Sequence, residues 1–183
     1  MGLELRPIDV HSVGQLWSII NANPVRHTYV ASRLEQHGLA GITRRTLEVI
    51  GAFDGEQLQS AMLFGANLVP IETSQEAQFL FAEVLARQGR RCSSIVGPAN
   101  EVHQLWAMLD SHWGAARAIR ANQPVMATSS RSELTIDDRV QYSTLMDLEI
   151  VFPACVDMFT HEVGLSPLAK GGAMSYRNRV SEL

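Results

Sequence analysis

The chain has 183 residues, of which 46% are hydrophobic and 19% charged, and these values are ordinary for a globular protein with one sizeable core. Its formal net charge of −4 provides no electrostatic case for a nucleic-acid partner. No apolar run approaches the roughly 18 residues that a membrane span needs, and no apolar signal core opens the chain. We therefore expect a soluble cytoplasmic protein without a membrane partner.

The cysteines and histidines predict neither a disulfide nor a metal site. Cys92 and Cys155 lie far apart in apolar sequence, which favours buried thiols in a reducing compartment. The six histidines include no His-x-x-x-His pair, and the chain has no Cys-x-x-Cys pair. We predict no metal cofactor.

The start of the chain predicts a short strand followed by two amphipathic helices. In the first helix Val13, Leu16 and Ile20 recur at the spacing of one helical face. Gly38 is expected to end the second helix in the left-handed conformation. The predicted ranges are 3–9 for the strand and 11–23 and 25–37 for the helices.

Two strands and a capped helix are predicted next. Asp54 and Gly55 separate two apolar runs, which is a hairpin signal because glycine tolerates a positive φ. We expect the second strand to be long and to bend near Gly65. Thr73, with Glu76 three residues later, predicts a capping box for the following helix. The predicted ranges are 47–53 and 57–69 for the strands and 74–88 for the helix.

The remainder of this first unit predicts a strand, a helix and two closing strands. Pro98 follows Gly97 and is expected at the first helical position, where proline is tolerated. The predicted ranges are 92–96, 116–119 and 124–129 for the strands and 98–113 for the helix. We assign residues 1–130 to a first domain and 131–138, which are polar and turn-rich, to a linker.

Residues 139–183 repeat the strand-helix-helix opening and predict the start of a second α/β unit. The predicted ranges are 140–146 for the strand and 148–163 and 172–183 for the helices. Pro153 removes an internal hydrogen bond, so we expect a kink or a later start in the long helix. No strand remains to complete a second sheet, so the apolar helix faces are expected to dock on the first domain or on a second chain, which would form a homodimer.

The order of elements is the layout of the GNAT acyltransferase fold, and several strings sharpen the resemblance. They are GANLVPIE, QGRRCSSIVGP, LW with a later HWG, and ACVDMFTHEVGLSPL. These strings resemble actinobacterial two-part proteins in which an uncharacterised GNAT-like N-terminal domain precedes a GNAT N-acetyltransferase domain. The resemblance implies an α/β fold with a mixed sheet flanked by helices, followed here by an incomplete second GNAT unit.

The resemblance also implies acetyl-CoA as the acyl donor of the parent protein and a small-molecule or peptide amine as the acceptor. GNAT enzymes hold the pyrophosphate on backbone N–H groups at a helix N-terminus, in an Arg/Gln-x-x-Gly-x-Gly/Ala pattern. The equivalent position here reads LVPIETSQEA, in which no glycine occurs, Pro70 lacks an N–H, and Glu72 and Glu76 repel phosphate. We predict that the first unit has no coenzyme A site and that this chain alone is inactive.

The same resemblance points to an acceptor groove beside the loop after the long second-unit helix. Phe159, Glu162 and Ser166 are its candidate substrate-binding residues, with Glu162 supplying negative charge for an amine. The alternative is that Glu162 is a surface carboxylate and Phe159 belongs to a core. No residue is assigned as catalytic or as cofactor-binding. The alternative function is a non-catalytic module that binds a ligand or mediates dimerisation.

Overall fold

The structure is a computed structural model that describes residues 2–43 and 48–181. It divides into two compact units, Met1–Ser129 and Ser130–Leu183. The described residues form a mixed α/β fold in which helices flank a five-stranded, open mixed sheet, and the predicted fold class is confirmed at that level. Leu47 and residues 182–183, which fall in predicted elements, lie outside the described residues.

In the part of the first unit that the structure describes, four helices accompany the sheet. Its order is strand, two helices, three strands, helix, strand, helix. In chain order the elements are β1 Glu4–Pro7, α1 Val13–Ala22, α2 Thr28–Thr43, β2 Glu48–Asp54, β3 Gln57–Phe64, β4 Asn67–Ile71, α3 Gln75–Gln88, β5 Ser94–Ile95 and α4 Ala99–Trp113.

The strands follow one another across the sheet in the order β1-β2-β3-β4-β5. The first four are antiparallel to their neighbours, whereas β5 runs parallel to β4. The predicted hairpin is confirmed, since Asp54 pairs with Gln57 and Gly55 has a φ of 58°. The parallel pair requires a crossover, which α3 provides.

The single long strand predicted over 57–69 is wrong, because the chain reverses between β3 and β4. Leu63 pairs with Val69 in the antiparallel register of these two strands. The reversal uses Gly65 and Ala66, which are exposed, followed by Asn67. Glycine and asparagine are both favoured in turns. The segment at Gly65, which was expected to bend one long strand, therefore reverses the chain completely.

Three further predicted strands are not formed. Residues 116–119, 124–129 and 140–146 contain no strand, and the last of these ranges enters a 3-10 turn at Leu145–Asp147. Strand formation depends on a partner edge and on burial of one face. The edge strand β5 pairs over two residues, and apolar side chains of the three ranges, including Met126, are exposed.

Several helix ends differ from their predictions. Ser74, rather than Thr73, caps α3 by accepting from the N–H of Ala77 at 3.1 Å, so the predicted capping box is wrong. Pro98 is the N-cap of α4 instead of its first helical residue. Gly38 has the expected positive φ of 57°, but helical structure resumes beyond it and α2 continues to Thr43.

The sheet separates two hydrophobic cores, because side chains alternate along each strand. In β3, Ala61 and Leu63 face the core formed with α1 and α2, whereas Met62 faces the core formed with α3 and α4. In β4, Leu68 belongs to the second core and Val69 to the first. The first unit is therefore built as helix, sheet and helix layers.

The described residues of the second unit form two helices and the turns that precede them. These helices are α5 Leu148–Val163, which matches the predicted range, and α6 Ala173–Ser181. Thr144 caps the 3-10 turn Leu145–Asp147 that leads into α5, and its N–H and hydroxyl donate to Asp147 in a capping box. Helix α5 starts at Leu148 and continues through Pro153, so a later start is excluded.

Two phenylalanines of α3, Phe81 and Phe79, allow a matched test of the second core, because they are the same residue type on the same helix. Phe81 is 0% exposed and Phe79 is 57% exposed. Replacing Phe81 by alanine should lower the free energy of unfolding by about 3–5 kcal/mol, since it removes a buried ring and leaves a cavity. Phe79→Ala is the matched control and should change it by less than about 1 kcal/mol. Urea denaturation measures both, and equal losses would contradict this core.

Candidate functional site

A group of charged and polar side chains, some buried and some partly exposed, lies where β4 ends and α3 begins. We call it the carboxylate cluster, and its members are Arg26, His27, Glu72, Thr73 and Glu101. Arg26 and His27 come from the turn between α1 and α2, and Glu101 from the first turn of α4. Two distant segments of the chain therefore converge on the loop between β4 and α3.

Glu101 is the centre of this cluster and is 2% exposed. Its Oε2 accepts hydrogen bonds from the backbone N–H of Thr73 at 2.7 Å and from the Thr73 hydroxyl at 2.6 Å. Its Oε1 accepts from the Arg26 guanidinium at 2.5 Å. A buried carboxylate is costly unless it is paired and hydrogen-bonded, and both oxygens of Glu101 meet that requirement.

Glu72 supplies a second carboxylate, closer to solvent than that of Glu101. Its Oε1 lies 3.1 Å from Arg26 Nε and 2.9 Å from Nε2 of the buried His27. Arg26 therefore bridges the two carboxylates through different nitrogens of its planar guanidinium, a geometry that lysine cannot reproduce. Because Arg26 and Glu72 are partly exposed, the cluster is buried on the Glu101 side and open on the Glu72 side.

The backbone at Glu72 is strained. Among the residues that the structure describes, Glu72 is the non-glycine residue with a positive φ, at 49°. That conformation costs of the order of 1–3 kcal/mol and persists where the surroundings enforce it. The Ser60 hydroxyl helps to do so by donating to the Glu72 carbonyl at 2.8 Å. Such strain concentrates at functional sites, which makes this loop the leading candidate in the first unit.

Gln78 lies beneath the cluster and is fully buried. Its side-chain N–H donates to the Thr73 hydroxyl at 3.0 Å, and that hydroxyl donates in turn to Glu101. The Gln78 Oε1 has no hydrogen-bond partner among the described residues. The three side chains thus form one directional chain of hydrogen bonds that fixes the Thr73 hydroxyl.

The cluster resembles an anion site that the protein itself has filled. A carboxylate on backbone N–H groups beside a helix N-terminus is the favourable arrangement for negative charge. Here that carboxylate belongs to Glu101, and the donors of Thr73 are already used. Pro70 offers no N–H, and Glu72 adds a further negative charge. The residues of this loop therefore do not fit a phosphate group.

The residues predicted for an acceptor groove lie at the end of α5 and in the following loop. Phe159 is half-buried, with its ring edge-on to Tyr176 at a centroid distance of 5.2 Å. Glu162 is exposed. Ser166 is also exposed, and its hydroxyl accepts from the N–H of Leu168 at 3.3 Å. Their role in binding an acceptor stays a prediction.

Sequence reasoning did not find the carboxylate cluster. Glu101 occupies the first turn of α4, where an acidic residue is ordinary because it favours the helix dipole. The sequence predicts a helix cap at Thr73, and Arg26 carries no local signal. The one available signal was the pair of acidic residues around the start of α3, which was interpreted as repulsion of phosphate.

A second feature of the first unit is a cavity of about 170 Å³ near the end of α3. Its lining includes Cys92, Arg91 and Trp113. Cys92 is half-buried, and burial raises the pKa of its thiol above the ordinary value. This thiol is therefore poorly suited to act as a nucleophile at neutral pH, where the thiolate is the reactive form.

The described residues show neither a metal-binding group nor a membrane-spanning helix. Among the described residues, no three His, Cys, Asp or Glu side chains come together in a group that could hold a metal ion. In the part of the chain that the structure covers, no helix combines the length and apolar character needed to cross a bilayer.

A family model described as Domain of unknown function (DUF4081) matches residues 47–151, which is more than half of the chain. The matched range contains Glu72, Thr73 and Glu101 but neither Arg26 nor His27. It also crosses the division between the two units at Ser129 and Ser130. The comparisons with curated proteins and with solved structures gave no match.

Glu101→Ala tests whether the carboxylate cluster holds the loop in place. It removes the acceptor for both donors of Thr73, so we expect the free energy of unfolding to fall by about 3 kcal/mol. Glu101→Gln keeps one oxygen acceptor and should cost less. Glu83→Ala, at an exposed position of α3, is the control and should stay within about 0.5 kcal/mol of the unmodified chain. A loss at Glu101 no larger than that of the control would contradict the role of the cluster.

Alkylation of Cys92 tests its burial and its raised pKa. We expect iodoacetamide to modify Cys92 more slowly in the native chain at pH 8 than in the urea-unfolded chain, because little thiolate is present. The native rate should rise as the pH is increased above that value. Peptide mass spectrometry follows the site directly, and equal native and unfolded rates would refute the expectation.

Proposed function

We propose that this chain, which belongs to the DUF4081 family, is the non-catalytic N-terminal portion of a GNAT-type N-acetyltransferase. In this proposal the parent protein acts in the cytoplasm and transfers an acetyl group from acetyl-CoA to an amine of a small molecule or peptide. The first unit contributes a GNAT-like scaffold without a coenzyme A site of its own.

The order of elements supports the GNAT part of this proposal. The first unit runs strand, two helices, three strands, helix, strand, helix, and its last two strands are parallel. This is close to the layout that the sequence resemblance implied. It differs in two respects, since the long strand is divided and the closing strands are not formed.

In open α/β sheets, ligands bind beyond the carboxyl ends of the strands, and the carboxylate cluster lies at that end of β4.

One observation carries the non-catalytic part, namely the position of the Glu101 carboxylate on the N–H of Thr73. A pyrophosphate bound at the loop before α3 would compete with Glu101 for the N–H and the hydroxyl of Thr73. It would also meet Glu72, and like charges at close range repel strongly in a partly buried site. Binding there would require Glu101 to leave its partners, which costs several kcal/mol.

In this proposal the second unit belongs to the catalytic half of the parent protein. Phe159, Glu162 and Ser166 would then face the acceptor, with Glu162 attracting its ammonium group. The exposure of Glu162 and Ser166 leaves both side chains accessible for that role. No catalytic step is assigned to a residue of this chain.

The second candidate function is a non-catalytic module that binds a ligand or mediates dimerisation. The observation that favours dimerisation is the row of exposed apolar side chains in the second unit, among them Met146 and Ile150. Both candidates share a first unit that does not bind coenzyme A. They differ in whether an acetyltransferase belongs to the same polypeptide.

Isothermal titration of the full chain with acetyl-CoA tests the proposed loss of the coenzyme A site. We expect no binding tighter than about 1 mM, because Glu101 occupies the donors. We also expect no release of coenzyme A thiol above a protein-free control when amines are added. Micromolar binding, or turnover above the control, would overturn the proposal for the first unit.

The proposal for the parent protein is tested separately by sequencing the source gene beyond the Leu183 codon. We expect the frame to continue into strands and an Arg/Gln-x-x-Gly-x-Gly/Ala turn at a helix N-terminus. A stop codon after Leu183 would end the acetyltransferase proposal and leave the module as the remaining candidate.

A further inference from the structure

The cavity near the end of α3 has an apolar inner wall. This wall is formed by side chains from the end of β3, the start of β4, and helices α3 and α4, namely Phe64, Leu68, Leu85 and Trp113. Leu68 and Leu85 are buried members of the second core. The indole N–H of Trp113 donates to the Leu85 carbonyl at 3.3 Å, which holds the end of α4 against α3. The inner wall is therefore part of the packed first unit.

The rim of the same cavity carries two opposite charges. Glu48 at the start of β2 and Arg91 in the loop before β5 both line the cavity, and both are exposed. Among the described residues, neither side chain has an ion-pair or hydrogen-bond partner, so the two do not neutralise each other. The exposed amide of Gln88 lies on the same rim. The cavity thus combines an apolar interior with one free carboxylate and one free guanidinium at its opening.

We propose that this cavity binds a free α-amino acid with a small aliphatic side chain, of the size of valine or leucine. The ammonium group of the amino acid pairs with Glu48, and its carboxylate pairs with the guanidinium of Arg91. The aliphatic side chain lies on Leu68 and Leu85. Small-molecule sites are commonly built in this way, with an apolar lining and a few polar groups that fix the orientation of the ligand.

The charges select the class of ligand. A simple carboxylic acid would pair with Arg91 but meet repulsion from Glu48, and a simple amine would meet the reverse. A zwitterion satisfies both groups. A charged side chain on the amino acid would be buried against Leu85 without a partner, which is unfavourable, so the side chain is apolar.

The volume of the cavity, about 170 Å³, limits the size of the ligand. Pockets for drug-sized ligands have roughly 300–1,000 Å³, whereas an apolar cavity of about 150 Å³ holds benzene. A short aliphatic side chain fits this space while the two charged groups stay at the open rim. A nucleotide or coenzyme A is too large to be enclosed here.

This inference goes beyond the proposed function, because it depends on neither acetyl-CoA nor a catalytic half. The cavity lies at the start of β4, whereas the carboxylate cluster lies beyond the end of that strand. The first unit would therefore respond to an amino acid at a site separate from the cluster.

Isothermal titration of the full chain with L-leucine tests the site. We expect a dissociation constant below about 1 mM. Binding should be at least about tenfold weaker for 4-methylpentanoate, which lacks the ammonium group, and for 3-methylbutylamine, which lacks the carboxylate. Equal binding of the three compounds, or no binding of leucine, would overturn the proposal.

Variants of the two rim charges test their roles in the full chain. Arg91→Ala and Glu48→Gln should each weaken leucine binding by about tenfold, since each removes a charge-assisted hydrogen bond. Arg90→Ala and Glu83→Gln, at exposed positions that do not line the cavity, are the matched controls and should change it by less than about twofold. Circular dichroism checks that each variant is folded. Rim variants that bind leucine as tightly as their controls would refute the assignment.

The alkylation rate of Cys92 shows where the amino acid binds. Cys92 lines the cavity, whereas Cys155 lies in α5 of the second unit. Leucine at about ten times its dissociation constant should slow the reaction of Cys92 with iodoacetamide by about tenfold, because only the free fraction reacts. The rate at Cys155 should stay unchanged. Bound leucine that leaves the Cys92 rate unaltered would place the ligand elsewhere and overturn the proposed site.

Discussion

The buried carboxylate of Glu101 is the constraint on which the arrangement of the first unit depends. It joins α4 to the loop before α3 and to the turn between the first two helices. Removing it from water costs several kcal/mol, and the donors of Thr73 together with Arg26 offset that cost. Because these donors are directional, they fix the loop, including the strained backbone of Glu72. The same contacts leave neither the N–H nor the hydroxyl of Thr73 free to donate to a bound anion.

Much of this fold could be predicted from local sequence, wherever periodicity and turn residues agreed. Asp54 and Gly55 identified the hairpin between β2 and β3, and the stripe of Val13, Leu16 and Ile20 identified α1 and its buried face. The range of α5 was also predicted to the residue. The residues that identify each of these elements lie close together in the sequence. The elements can therefore be predicted without knowledge of any distant contact.

The failures have a common cause, which is that distant residues decide the outcome. Residues 116–129 are apolar enough for strands, but a strand also needs an edge, and β5 offers two residues. Thr73 and Ser74 could each cap α3. Ser74 forms the cap, because the Thr73 hydroxyl donates instead to Glu101, which lies 28 positions further along the chain. Arg26 lies 75 positions before Glu101. No local pattern connects such residues, so the candidate site emerged from the structure alone.

The brevity of β5 has a consequence for the order in which the first unit opens. Its pairing with β4 covers Ser94 and Ile95, and flanking bonds join Ser93 to Ala66 and Val96 to Leu68. Backbone amides held by so few bonds at a sheet edge exchange through local openings of low free energy. Deuterium should therefore enter residues 93–96 long before it reaches the paired amides of β2 and β3. The pairing of β5 is therefore the weakest part of the sheet. Helix α4, which follows β5, is held in place by its packing on α3 and by the buried carboxylate of Glu101.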